Sequence, residues 1–258
     1  MIEGDTQLMP YNAGKAASNA IVAASVGFSK FKGPDDALGG KRGFLNCFAD
    51  NPNVELLADF SGREYSKTNY FKMYAACGHC HSSIDAALLL RKKYSFSIEE
   101  IERIDIQTYR LALLGHDHNV INGVNSAKMS IPYCTAVALV HESADIEDFD
   151  LSSISEITLL KLASKISVRE NEQLTRLSPA KRMAIVTIYT KNGDYSEIVT
   201  YPKGQPENPL SFDDLLNKYK KNLKWAGLSD EVINKSLDMI LNNDDQCTVN
   251  QLIDCINK

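Results

Sequence analysis

Five consecutive residues, Cys77-Gly78-His79-Cys80-His81, bring together two thiols and two imidazoles. Side chains of these types ligate metals, exchange disulfides or anchor haem. Cys-x-x-Cys-His is the pattern of covalent haem attachment, and a redox Cys-x-x-Cys opens a helix after a strand. Zinc would draw on Cys77, His79, Cys80 and His81, with His116 and His118 as a distant second half. The context argues against each. Haem attachment needs export, and Met1–Lys15 lacks the basic flank and apolar stretch of a signal peptide. Tyr70–Tyr74 is too short and polar to be the strand of a redox unit. Neighbouring residues at a helix start cannot all face one ion, and there is no second Cys-x-x-Cys. The plainer reading is small buried thiols beside hydrogen-bonded histidines, with no metal and no cofactor.

The whole chain narrows the class further. Its 258 residues suffice for one large domain or two smaller ones with a substantial core. Apolar content of 44% and charged content of 24% are those of a folded globular protein. The net charge of −5, with scattered Lys and Arg, gives no electrostatic footprint for nucleic acid. No apolar run approaches the roughly 20 residues of a membrane span. Six cysteines are too sparse for a disulfide framework at this length, which favours reduced thiols and a cytoplasmic location.

Around the cluster the periodicities sketch the elements. Ala13–Phe28 is Ala-, Ile- and Val-rich and predicts a buried helix ending at Gly27. Gly33-Pro34-Asp35-Asp36 predicts a turn into a second helix, broken at Gly39-Gly40. Ser82–Lys93 has helical spacing, so the cluster sits at or just before a helix N-terminus. Ser97 with Glu100 forms a capping box, and Ile104–Tyr109 alternates like a half-buried strand. Met183–Tyr189 and Tyr195–Tyr201, joined by Lys191-Asn192-Gly193-Asp194, predict a hairpin with Asn-Gly at its tip. Ser211 with Asp214, then Ser229 and Thr248, start further helices. His116 and His118, in Gly115–Asn119, read as an exposed polar loop, and His141 as structural. The fold class is α+β: a helical layer interrupted by a mixed α+β unit, with segments 1–70, 71–205 and 206–258.

Several motifs, in order, resemble the MmgE/PrpD family. Lys72 followed nine residues later by His81, then Ile84-Asp85-Ala86-Ala87, is similar to its central motif. Ala13–Ala17 resembles its segment just before mid-protein. Ala127-Lys128-Met129-Ser130-Ile131-Pro132-Tyr133 resembles its segment leading into an Ala-rich helix. Gly204-Gln205-Pro206-Glu207-Asn208-Pro209-Leu210-Ser211, followed by Asp213, Leu215 and Lys218, resembles a fourth. The match spans the chain but only the C-terminal half, or slightly more, of a usual member.

That resemblance implies a cofactor-independent lyase or isomerase, namely a dehydratase, decarboxylase or epimerase of small di- or tricarboxylates. Such chemistry moves a proton beside a carboxylate, so it needs cations to hold charge and an acid–base group at the reacting carbon. The resemblance places His81 and Tyr133 as catalytic residues, and Lys72, Cys77 and Ser130 as substrate-binding ones. Cys77 stands where the decarboxylases carry His. Met9 and Asn12 stand where family members carry Lys and His, and the upstream helical half that supplies an Asp and a His is missing. The partner expected is therefore a complementary N-terminal half or a second copy in a homodimer. A non-catalytic relic serving as a binding or dimerisation module, or a truncated product, is the alternative.

Overall fold

The structure is a computed structural model and describes residues 8–55, 68–242 and 247–257. Two compact units divide between Asn69 and Tyr70. In the first, α1 (Leu8–Phe28) runs on through Gly27. Its apolar side chains are not buried: Ile21, Val22 and Phe28 are 68%, 59% and 89% exposed. No second helix begins at Asp35. Residues 35–39 are turns, and the Asp36 carboxylate accepts from the Gly39 amide at 2.7 Å. An aspartate that bonds local backbone in this way competes with helix formation. The helix comes after the glycines instead, as α2 (Phe44–Phe48).

The second unit is α+β. Helix α3 (His81–Lys93) precedes β1 (Ile101–Thr108), a strand slightly longer than its alternation predicts. Helices α4 (Arg110–Leu113), α5 (Val124–Met129), α6 (Ile131–His141) and α7 (Ile157–Ala163) then lead to β2 (Ile166–Glu170). β2 lies parallel to β1, with Ile104 opposite Ile166, and parallel neighbours require such a crossover. After α8 (Glu172–Leu177), strands β3 (Ala184–Thr190) and β4 (Gly193–Val199) form the antiparallel hairpin. Its tip is Lys191-Asn192, because Gly193 already pairs with Thr190. The sheet order is β2-β1-β3-β4. Ile104, Ile106, Ala184, Val186 and Ile188 bury one face, while on the other the Arg103 guanidinium stacks 3.5 Å from the Tyr189 ring centre.

Helix α6 is buried at every position from Ile131 to Leu139, as suits a segment apolar on all sides. It packs against α3, α7 and β2. Its start is set by Ser130, whose hydroxyl accepts from the Tyr133 amide at 3.1 Å, with Pro132 in the first turn. The capping boxes of Ser97–Glu100, Ser211–Asp214 and Thr248–Gln251 all form, the last two opening α9 (Phe212–Trp225) and α11 (Val249–Ile256). Between them lies α10 (Asp230–Leu241), capped by Ser229. These C-terminal helices belong to the same compact unit as the sheet. Among the described residues, no helix is long and apolar enough to cross a membrane.

One tight contact fixes the entry to the cluster. The Phe71 amide donates to the Gly204 carbonyl at 2.9 Å, and Gly204 has φ +98°. A Cβ there would lie 1.9 Å from the Phe71 carbonyl oxygen, so the position admits only glycine. Gly204→Ala should lower stability by at least about 2 kcal/mol, read as a shift in the urea midpoint at unchanged slope. A midpoint equal to wild type would show that this close approach does not hold the segment.

Candidate active site

Residues 70–80 are neither helix nor strand, so their geometry depends on what they bond to. The Ala75 amide donates to Ala144 O at 3.0 Å and the Cys77 amide to Lys128 O at 2.8 Å. The Lys218 ammonium, on α9, donates to Met73 O at 3.0 Å. Tyr74 donates its hydroxyl to Asp85 on α3, whose other oxygen accepts from the Lys203 amide at 2.6 Å. The Ser82 hydroxyl donates to the Arg182 carbonyl, bringing the approach to β3 against the start of α3.

The five cluster residues then diverge. Cys77 Sγ meets His116 Nε2 at 3.2 Å, and His79 Nδ1 meets the Tyr109 hydroxyl at 2.6 Å. Cys80 is fully buried, its thiol pKa pushed up by burial and by its hydrogen bond with Cys134. His81, 2% exposed, places Nε2 3.3 Å from Ala76 O and its ring edge-on to Tyr74. All six cysteines are free. Among the described residues, no three His, Cys, Asp or Glu side chains converge as metal ligands would.

Lys72 and His81 do converge. The Lys72 ammonium reaches the same Ala76 carbonyl, at 3.5 Å. A carbonyl only accepts, so Nε2 of His81 carries the proton and Nδ1 is its basic nitrogen. Burial lowers the His81 pKa to about 4; the Ala76 bond opposes this, and the charges of Lys72, Lys218 and Arg182 reinforce it. His79 is likewise lowered to about 4, by burial first and then by His116, Arg182 and Lys72. Burial also lowers Lys218. The result is two neutral imidazoles that feel the charges of neighbouring cations.

Ser130 and Tyr133 are placed differently. Ser130 is fully buried, donates to His118 O at 2.6 Å and caps α6. Tyr133 is also fully buried, with its hydroxyl on Ser153 O at 2.9 Å and its ring against Phe149. Neither shares a bond with Lys72 or His81. In the Gly115–Asn119 segment, Gly115, Asp117 and Asn119 are exposed as its polarity predicts, but the two histidines are not. His116 is 3% exposed, and His118 bridges Gly115 O and Ser126. His141 bonds Asp148 and Glu156, which raise its pKa against the effect of burial. Arg182, absent from the sequence reading, lies under Tyr70 with its guanidinium 5.4 Å from the ring centre. The side chain of Met9 lies outside the described residues.

The family model of the MmgE/PrpD C-terminal domain matches residues 74–241. The chain belongs to the MmgE/PrpD family. Among its relatives is a cis-aconitate decarboxylase of Aspergillus terreus (strain NIH 2624 / FGSC A1156), 23% identical over 270 aligned positions. That alignment takes in 95% of this chain and 53% of the relative, so the chain spans about half the relative's length. Family membership places the chain among dehydratase- and decarboxylase-like proteins. The matched region holds Cys77, His79, His81, His116, Arg182 and Lys218, whereas Lys72 lies two residues before it.

The depressed His81 pKa makes a stability prediction. The unfolded imidazole takes a proton below about pH 6.5, while His81 in the fold stays neutral down to about 4. Between those values the unfolded state binds the extra proton, so stability is intact above pH 6.5 and falls towards pH 4. The loss from this group is roughly 3 kcal/mol at the acid end. His81→Gln should lose correspondingly less between pH 7 and pH 4 in urea unfolding. Equal losses in the two proteins would show that His81 accepts a proton in the fold.

Proposed function

We propose that this chain is the C-terminal half of an MmgE/PrpD-type lyase or isomerase. Its substrate is a small di- or tricarboxylate, and its chemistry is proton transfer at the carbon beside a carboxylate. The observation that carries this reading is the convergence of Lys72 and the buried His81 on the Ala76 carbonyl, with Lys218 and Arg182 held against the same segment. Lysine ammoniums suit carboxylates as point charges, and the Arg182 fork suits bidentate binding. Nδ1 of His81 then takes the proton, and the charge that develops on the carboxylate is met by cations already in place. Ser130 and Tyr133 serve this site by fixing the start of α6, and Cys77 lies beside it.

The exposed apolar residues of α1 support assembly with a second chain, either a complementary N-terminal helical half or another copy. An Asp and a His from the upstream half would complete the pocket. The cis-aconitate decarboxylase relative makes unsaturated tricarboxylates a first choice of ligand.

The test combines this chain with the N-terminal half of a family member in deuterated water. Citrate, 2-methylcitrate and cis-aconitate are followed by proton NMR. One acid should exchange the proton beside a carboxylate. His81→Gln should slow that exchange by about 10²–10⁴-fold, and Lys72→Gln should act mainly on KM. No exchange with any of the acids, both halves being folded, overturns the reading and leaves a non-catalytic module.

A further inference from the structure

Cys77 and His116 are not used in that proton transfer, yet they form a second reactive pair. His116 Nδ1 lies 2.8 Å from Leu114 O, which can only accept. Nδ1 therefore holds the ring proton, and Nε2 turns its lone pair to the Cys77 thiol, 3.2 Å away. Nucleophile, base and a group orienting the base are the three parts of an activated cysteine. Both partners are anchored through the backbone. The Cys77 amide donates to Lys128 O, and the His116 carbonyl accepts from the Ile131 amide at 2.7 Å. His116 is 3% exposed while Cys77 is only half-buried, so the sulfur is reachable and the base is shielded.

The surroundings select for charge. The His79 ring stands edge-on to His116, with centres 5.0 Å apart, and His79 feels Lys72 and Arg182. Arg182 also lies against Gly78, where a Cβ would meet its Nη1 at 3.3 Å. Burial keeps His116 in the neutral, basic form, with the Leu114 bond and Asp117 opposing. The neighbouring Cys80 is fully buried and held by Cys134, so it does not compete.

We propose that Cys77, with His116 as its base, is a nucleophilic site selective for carboxylate-bearing electrophiles, in particular α,β-unsaturated acids. The thiol proton passes to His116 Nε2, and the sulfur electron pair forms a bond to the β-carbon. The π pair of the double bond moves to the α-carbon, where the carboxylate and its cationic neighbours hold the charge. The imidazolium then returns the proton to that carbon. The product is a thioether, with no oxidant or reductant consumed.

The test needs no turnover, so it fails or succeeds apart from the lyase reading. The full chain is alkylated in parallel with iodoacetate and iodoacetamide, and Cys77 and the exposed Cys47 are followed by peptide mass spectrometry. The iodoacetate-to-iodoacetamide rate ratio at Cys77 should exceed that at Cys47 by about tenfold, and Lys72→Gln and Arg182→Gln should each lower it. His116→Asn should slow Cys77 alone, by about tenfold. Fumarate should add to Cys77 and spare Cys47. An equal reagent ratio at the two cysteines overturns the proposal, and because it comes from the wild-type chain, misfolding of a variant cannot obscure it.

Discussion

A buried carboxylate organises the reactive part of this molecule. Asp85, on the first turns of α3, accepts from the Tyr74 hydroxyl and from the Lys203 amide. Burial raises its pKa and the two bonds oppose that shift, so each donor offsets part of the cost of enclosing the charge. Lys203 in turn reaches Asp214 of the α9 capping box at 2.8 Å. One side chain thus ties an irregular segment, a glycine turn and a helix start to α3. Without those ties nothing periodic would place Lys72 near His81, because residues 70–79 carry no helix or ladder bonds of their own.

This constraint changes the meaning of the sequence motifs. Asp85, Gly204 and Ser130 all fall in the segments that resemble the MmgE/PrpD family, and all three act by holding backbone. Gly204 is required by a carbonyl approach, Ser130 by an orphan amide at a helix start, and Asp85 by two donors converging from distant segments. The side chains that this scaffold brings together are Lys72, Cys77, His79, His81 and, from elsewhere in the chain, His116, Arg182 and Lys218, and the proposed chemistry rests on them. The cluster that first suggests a metal or a haem spreads to separate partners because successive residues at a helix start point in different directions.

Where a signal was local, the chain was legible. The Ser97–Glu100 capping box, the Ser211–Asp214 cap, the helix after the cluster and the hairpin rest on spacings of two to four residues, and they form. The second helix expected after Gly33-Pro34 does not, because Asp36 closes a turn on the Gly39 amide. Strand β2 carries little signal in its sequence, since only Ile166 of its five residues is buried and the parallel pairing to β1 comes from across the crossover. His116 looks solvated beside Asp117 and His118, yet its burial follows from the Ile131 amide bonding its carbonyl fifteen residues on. Arg182 precedes β3 with no motif of its own, and only the fold brings it to Gly78 and Tyr70. A side-chain cluster assembled from distant segments leaves its cations invisible to spacing rules, whereas motif order still betrays the family.

The electrostatics join these threads. Burial is the larger reason that His79 and His81 are neutral, and the surrounding cations add to it, after His116 in the case of His79. A bound dicarboxylate would offset those cations without undoing the burial. Its charge would raise the affinity of His81 for a proton at the moment when a proton beside the carboxylate is to be removed. In the proposed reading, binding of the acid would therefore shift His81 from the free base towards its protonated form. The residues that would bind the anion would also tune the base, so neither task could be assigned to Lys72, Arg182 or Lys218 separately from the other.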